Sequence, residues 1–293
     1  MKTFMRSFLF IGLTSLAWSC SNDDDTGSEE AFTITSISAE AATVGTQITI
    51  TGTGFPADPA AIGISFGGVA ASVSAASSTQ IVTEVPTGAV NGEVSVTIEG
   101  LSRSATATFT VLTALESATY ANLDAPQTGG QGEPEGGPFI KFSFATGEVT
   151  DSETDWDIAF RGTTIAVNGG VATGANEEPA RNGEAGAAIQ SGTFGEITTA
   201  DGLSFSQDAE GAYAVPTGSD NGWYNYNPAT FTIAPIPGRI LVFRTHDGRF
   251  AKVEILSYYR DAPAEPDPFT DESRVYTFKY VYNPNNGETT LAE

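Results

Sequence analysis

The sequence predicts an all-β chain, and three observations carry that prediction. Gly and Pro are abundant, at 32 and 15 of 293 residues, and both disfavour helix interiors. Val, Ile, Thr and aromatic residues fall in short alternating runs, the period of a strand rather than a helix. Turn pairs such as Gly67-Gly68, Asn91-Gly92 and Asp247-Gly248 separate those runs, as tight hairpins require. A chain of this length usually holds about two domains.

The first element is not part of either domain. Lys2 and Arg6 precede the apolar run Phe8-Leu9-Phe10-Ile11-Gly12-Leu13, and Ser19 precedes Cys20. A basic start, a short apolar core and a small residue before the cleavage point make residues 1–19 a secretory signal. The apolar run is shorter than the roughly 20 residues a spanning helix needs. Cys20 stands where a lipoprotein signal places its acylated residue, although Trp18 is bulkier than the residue usual two places before it. Acylation there would tether the chain to a membrane. Residues 20–31 form an acidic linker, and Ser21-Asn22-Asp23-Asp24-Asp25 resembles the tag of surface-exposed lipoproteins from Bacteroidetes-type bacteria. The resemblance implies a lipid-anchored protein on the outer face of the outer membrane.

Residues 32–112 read as a small antiparallel β-sandwich. Ile48-Thr49-Ile50-Thr51 runs into Gly52-Thr53-Gly54-Phe55-Pro56, and Ile62, Ile64 and Phe66 alternate up to Gly67-Gly68. Val94, Val96 and Ile98 alternate with Ser95, Thr97 and Glu99, which describes a strand with one wet face. Ile34-x-x-Ile37, Gly45, Ile48 to Phe55, Phe66-Gly67-Gly68-Val69 and Val85-Pro86 resemble the IPT/TIG family. That resemblance implies an immunoglobulin-like fold. With no Trp between 32 and 112, this unit is expected to be a spacer rather than a binding module.

Residues 117–290 read as a second, predominantly antiparallel β domain. Gln127 to Pro138 is rich in breakers and is expected to be a surface loop, as is 169–192. Arg239 to Thr245 and Arg249 to Tyr259 flank His246-Asp247-Gly248 as a hairpin, and Lys252 and Glu254 are expected on its wet face. Tyr276, Phe278, Tyr280 and Tyr282 share one face of the last strand, a stripe expected in the core. Trp156-Asp157-Ile158-Ala159-Phe160-Arg161, Asn168-Gly169-Gly170, Trp223-Tyr224-x-Tyr226, Asp247 to Tyr259 and Tyr276 to Tyr280 resemble the HmuY family. The resemblance implies an all-β lipoprotein domain that captures haem, with an outer-membrane receptor as partner.

The haem ligands do not carry across with the fold. In haem-binding members of that family, paired His or Met side chains supply both axial bonds. Loops 169–192 and 206–222 hold neither residue type. Since haem iron needs His, Met, Cys or Tyr, the candidates are Tyr213 in the second loop and His246, expected at an exposed hairpin tip. Arg161, Arg181 or Arg239 could meet the propionates.

Composition narrows the remaining classes. With 36 acidic against 13 basic residues, the chain repels nucleic-acid phosphates, so nucleic acid is not an expected partner. One His and one Cys cannot build a His-rich or thiolate metal cage. Asp151-x-Glu153-x-Asp155-x-Asp157 lacks the glycine and terminal glutamate of a calcium loop. Asp155, Asp157, Glu177 and Glu178 could supply a glycosidase pair, but among so many acids that signal is empty. No Gly-x-Ser-x-Gly lies on a strand-to-helix turn, and the chain is not expected to be an enzyme. Trp223, Tyr224 and Tyr226 either stack on sugar rings or anchor a loop. The alternative to small-ligand capture is therefore adhesion or glycan binding through that region and the stalk.

Overall fold

The computed structural model describes residues 32–130 and 132–292. The signal segment 1–19, Cys20 and the linker 20–31 lie outside the described residues.

The first domain packs two sheets face to face. One has the order Thr33–Ile37, Gln47–Thr53, Gln80–Glu84, Val73–Ala76; the other Ala41–Thr43, Leu101–Leu112, Gly92–Ile98, Ile62–Phe66, Val69–Ala71. All neighbours are antiparallel except Ala41–Thr43, which runs parallel to Leu101–Leu112. The alternating positions do what period two demands. Ile48, Ile50 and Ile81 of one sheet and Ile64, Phe66, Val94, Val96 and Phe109 of the other are buried in one cluster. Phe66 is paired with Val69, so Gly67-Gly68 is the two-residue turn its sequence signals, with φ of +56° and +87°.

The second domain is built around two main sheets, with two short two-stranded pairs beside them. A five-stranded antiparallel sheet runs Glu116–Asp124, Ser273–Asn283, Phe250–Tyr259, Arg239–Arg244, Gly186–Ser191. A four-stranded sheet, in the order Glu148–Thr150, Ile140–Ser143, Ile158–Arg161, Thr164–Val167, covers its inner face. The aromatic stripe of the last strand is the core between them. Tyr276 meets Phe160 at 4.7 Å between ring centroids, Phe278 meets Phe142 at 5.3 Å, and Tyr280 meets Phe144 at 5.6 Å. Such tilted and edge-on pairs add to what apolar burial alone contributes.

Several loop expectations are corrected. Thr128–Gly130 and Glu133–Gly136 pair as a short hairpin inside the breaker-rich segment, and Gly186–Ser191 is an edge strand within the stretch expected to be loop. Its run of small residues hid the strand, because Gly and Ala carry no β preference of their own. Lys252 is not on a wet face but fully buried. The segment after Gly192 folds over the outer face of the five-stranded sheet, and the ammonium donates to the carbonyls of Phe194 and Ile197 at 2.8 and 3.0 Å. Glu254 is paired with Lys279 across the neighbouring strand.

Candidate functional site

The hairpin Ile158–Arg161/Thr164–Val167 organises the site. Arg161 faces Thr164 in register, leaving Gly162-Thr163 as a two-residue turn with Gly162 at φ +53°. The positive φ favours glycine there, and a Cβ would also push the Gln127 side chain aside, its amide oxygen lying 1.7 Å from the Cβ position. Alternation splits the hairpin: Ile158, Phe160, Ile165 and Val167 face the main core. Ala159 and Ala166 face a second cluster with Phe139 and Trp156, against which Tyr213 packs. Arg161 shares the parity of Ala159 and lies on this second side, only 2% exposed.

Arg161 sits 4.3 Å over the Phe139 ring, a cation–π arrangement. Its Nη1 donates to the carbonyls of Gly137 and Asn176. No carboxylate among the described residues lies within ion-pair distance of it. It lines a cavity of about 500 Å³ with Tyr213, Tyr224, Thr163, Thr164 and Asn176.

A buried ionic clamp ties together segments that carry part of this lining. Arg181 donates through Nε and Nη2 to Asp208 Oδ2 at 3.0 and 2.8 Å, and through Nη2 to Glu178 at 3.0 Å. All three side chains are within 3% of full burial. Asp208 also accepts the amides of Val167 and Ala214 at 3.1 and 2.8 Å. Glu178 accepts the amides of Thr173 and Gly174 at 2.8 and 3.1 Å. One cluster thus ties the hairpin, the 173–181 loop and the segment carrying Tyr213. Burial raises the Asp208 carboxyl above the ordinary carboxylate range despite those donors. At Glu178 burial acts in the same direction, but Tyr213, Thr173, Arg181 and Gly174 together lower it.

The predicted site residues are placed apart. Tyr213 is at the cavity, its hydroxyl sealed from water and without a well-formed hydrogen bond, although Glu178 and Thr173 stand beside it. Burial, opposed by the Thr173 hydrogen bond and reinforced by Glu178, pushes it up to about 12, so it is a neutral phenol at physiological pH. His246 is not an exposed hairpin tip, because its ring turns inward onto a buried acid 89 positions earlier. Its Nδ1 lies 2.7 Å from Asp157 Oδ1 with 18% of the side chain exposed, and its amide donates to the same oxygen at 2.9 Å. Asp157 Oδ2 accepts the Phe144 amide at 2.7 Å. Asp157 is therefore a buried organiser rather than a calcium ligand, and no cluster of three or more metal-binding side chains occurs among the described residues.

The Asp157 hydrogen bond raises the His246 pKa, and burial opposes it. A raised value means that the charged pair stabilises fully below the unfolded-state pKa near 6.5 and fades as pH rises through the folded value. His246→Ala should cost about 1 kcal/mol at pH 6, the ring being partly exposed, and less at pH 9. Urea midpoints of both proteins at the two pH values check this, and an equal gap at both would refute it.

Trp223 is not a surface platform. It is 2% exposed, its indole N–H donates to the Thr163 carbonyl at 2.9 Å, and its ring lies 5.1 Å from Tyr276 and 5.7 Å from Tyr258. Tyr224 is buried beside it, while Tyr226, at 40%, is exposed. Trp223 is drawn inward because the turn at Gly162-Thr163 offers an acceptor at the end of the core.

The family comparison is decided by the same segments. The IPT/TIG domain family matches residues 33–111 and the HmuY protein family matches residues 138–280. The chain carries an IPT/TIG domain followed by a HmuY domain. Among solved structures, the apo HmuY analog of Tannerella forsythia is similar at 13% identity, over 59% of this chain and 99% of that one, with a TM-score of 0.35. A HmuY-like heme-binding protein of Bacteroides vulgatus is similar at 14% identity, over 58% and 93%, with a TM-score of 0.34. A Bacteroides thetaiotaomicron protein of unknown function is similar at 10% identity over 74% of this chain, with a TM-score of 0.28. The chain spans 47% of the length of that last protein. No curated protein matches the chain.

An axially ligated haem does not fit the Arg161–Tyr213 cavity. Tyr213 is the one side chain lining it that could bind iron, and its pKa of about 12 opposes the phenolate that coordination needs. His246 is not among the lining residues, and Asp157 holds its Nδ1.

Proposed function

We propose that this protein is a surface-anchored, non-enzymatic capture protein whose HmuY domain takes a small ligand in the Arg161–Tyr213 cavity without axial coordination of iron. The observation that carries this reading is a cavity of the size usual for small-molecule sites. A buried arginine without a carboxylate partner forms part of its wall. The acylated Cys20, the outer-membrane location and a receptor partner belong to the same reading, supported by the signal and the acidic tag. The IPT/TIG domain serves as the spacer that raises the capture domain above the membrane.

Haemin titration, read by absorbance in both redox states, tests the absence of iron coordination. The expected spectra stay broad and unsaturated, as for free haemin. A sharpened, saturable Soret band that Tyr213→Phe abolishes would overturn this part of the reading.

A further inference from the structure

From the geometry of Arg161, and resting on the capture reading above, we infer that the captured ligand is a hydroxylated carboxylate of the sugar-acid class, its carboxylate held on the Nε–Nη2 edge of Arg161. Three observations support it. First, the guanidinium is used asymmetrically. Nη1 is committed to the Gly137 and Asn176 carbonyls, whereas Nε and Nη2 have no hydrogen-bond partner among the described residues. That edge carries two parallel N–H donors, the spacing that accepts both oxygens of a carboxylate.

Second, the edge is reachable. The side-chain atoms that are both sealed and unpartnered among the described residues are Trp156 Nε1 and the Tyr213 hydroxyl, so the Arg161 nitrogens keep contact with the cavity. Arg161 is the single cation lining it, and Glu135, on an exposed segment, the single carboxylate. A buried cation without a counter-ion is costly, and an incoming carboxylate removes that cost. In a chain with 36 acidic residues, an anion-accepting cavity is a local feature that runs against the overall charge.

Third, the rest of the wall is polar in the way a polyol needs. Thr163, Thr164 and Thr217 supply hydroxyls and Asn176 an amide. A planar apolar ligand would leave these groups unsatisfied.

Calorimetric titration of the purified protein with D-glucuronate and D-galacturonate tests the assignment, with D-glucuronamide, D-glucose and benzoate as controls. At least one acid should bind at least about tenfold more tightly than all three controls. Arg161→Lys, which keeps the charge without the fork, should weaken that binding by a similar factor. Equal binding of acid and amide, or of benzoate and the sugar acids, would overturn the inference. If Arg161→Lys fails to fold, the acid–amide comparison on the unaltered protein still decides. Haemin or neutral sugars binding where the acids do not would defeat the carboxylate assignment and leave the capture reading standing. No stabilisation by any member of a broad small-molecule set, haemin included, would defeat both.

Discussion

Arg181→Met should lower the unfolding free energy of the HmuY domain by about 3–5 kcal/mol, the usual cost of stranding a buried charge. Asp208 and Glu178 both aim at this guanidinium, and their side chains have essentially no contact with water. Without Arg181, Asp208 keeps its two amide donors but loses its counter-ion in a site where burial already raises its pKa. The double variant Arg181→Met/Asp208→Asn should recover part of the loss, since it leaves one stranded carboxylate, Glu178, instead of two. Urea unfolding followed by tryptophan fluorescence reports this domain, because Trp156 and Trp223 lie in it and residues 32–112 have no Trp. A loss below about 1 kcal/mol for Arg181→Met would mean that water reaches the cluster and screens it.

Trp223→Ala should cost a similar amount, about 3–5 kcal/mol, as a large cavity opens in the core. Its ring touches Tyr224, Tyr258 and Tyr276, and its N–H bond secures the turn that places Arg161. Ligand binding at the cavity should fall with it, since Thr163 and Tyr224 are shared by both. Tyr226→Ala should change stability by less than about 0.5 kcal/mol and leave cavity binding unchanged. A sugar-stacking platform predicts the opposite: both variants stable and both deficient in glycan binding. Chemical denaturation and calorimetry on the two variants separate these outcomes.

What the sequence determined by itself was local. Alternation over two residues marked Ile48–Thr51, Ile62–Phe66 and the aromatic stripe from Tyr276 to Tyr282, and the apolar runs either side of His246-Asp247-Gly248 marked a hairpin, because period two and turn chemistry act between neighbours. Gly67-Gly68 and Asp247-Gly248 marked turns for the same reason, and the family motifs followed from those segments. Trp156 to Arg161 was visible as a motif, and Arg161 as a possible anion contact. The tertiary structure alone decided what these residues do. The inward ring of His246 depends on Asp157, 89 positions away. The burial of Lys252 depends on a segment some 55 residues earlier folding over the sheet. The clamp joins Arg181 to Asp208 across 27 residues, and no composition or period encodes that pairing. Trp223 became a core residue because Thr163, 60 residues before it, presents a carbonyl at hydrogen-bond distance. The site rests on long-range pairings of single polar groups, whereas the strands rest on repeated apolar contacts. Only the repeated pattern leaves a local signature in the chain.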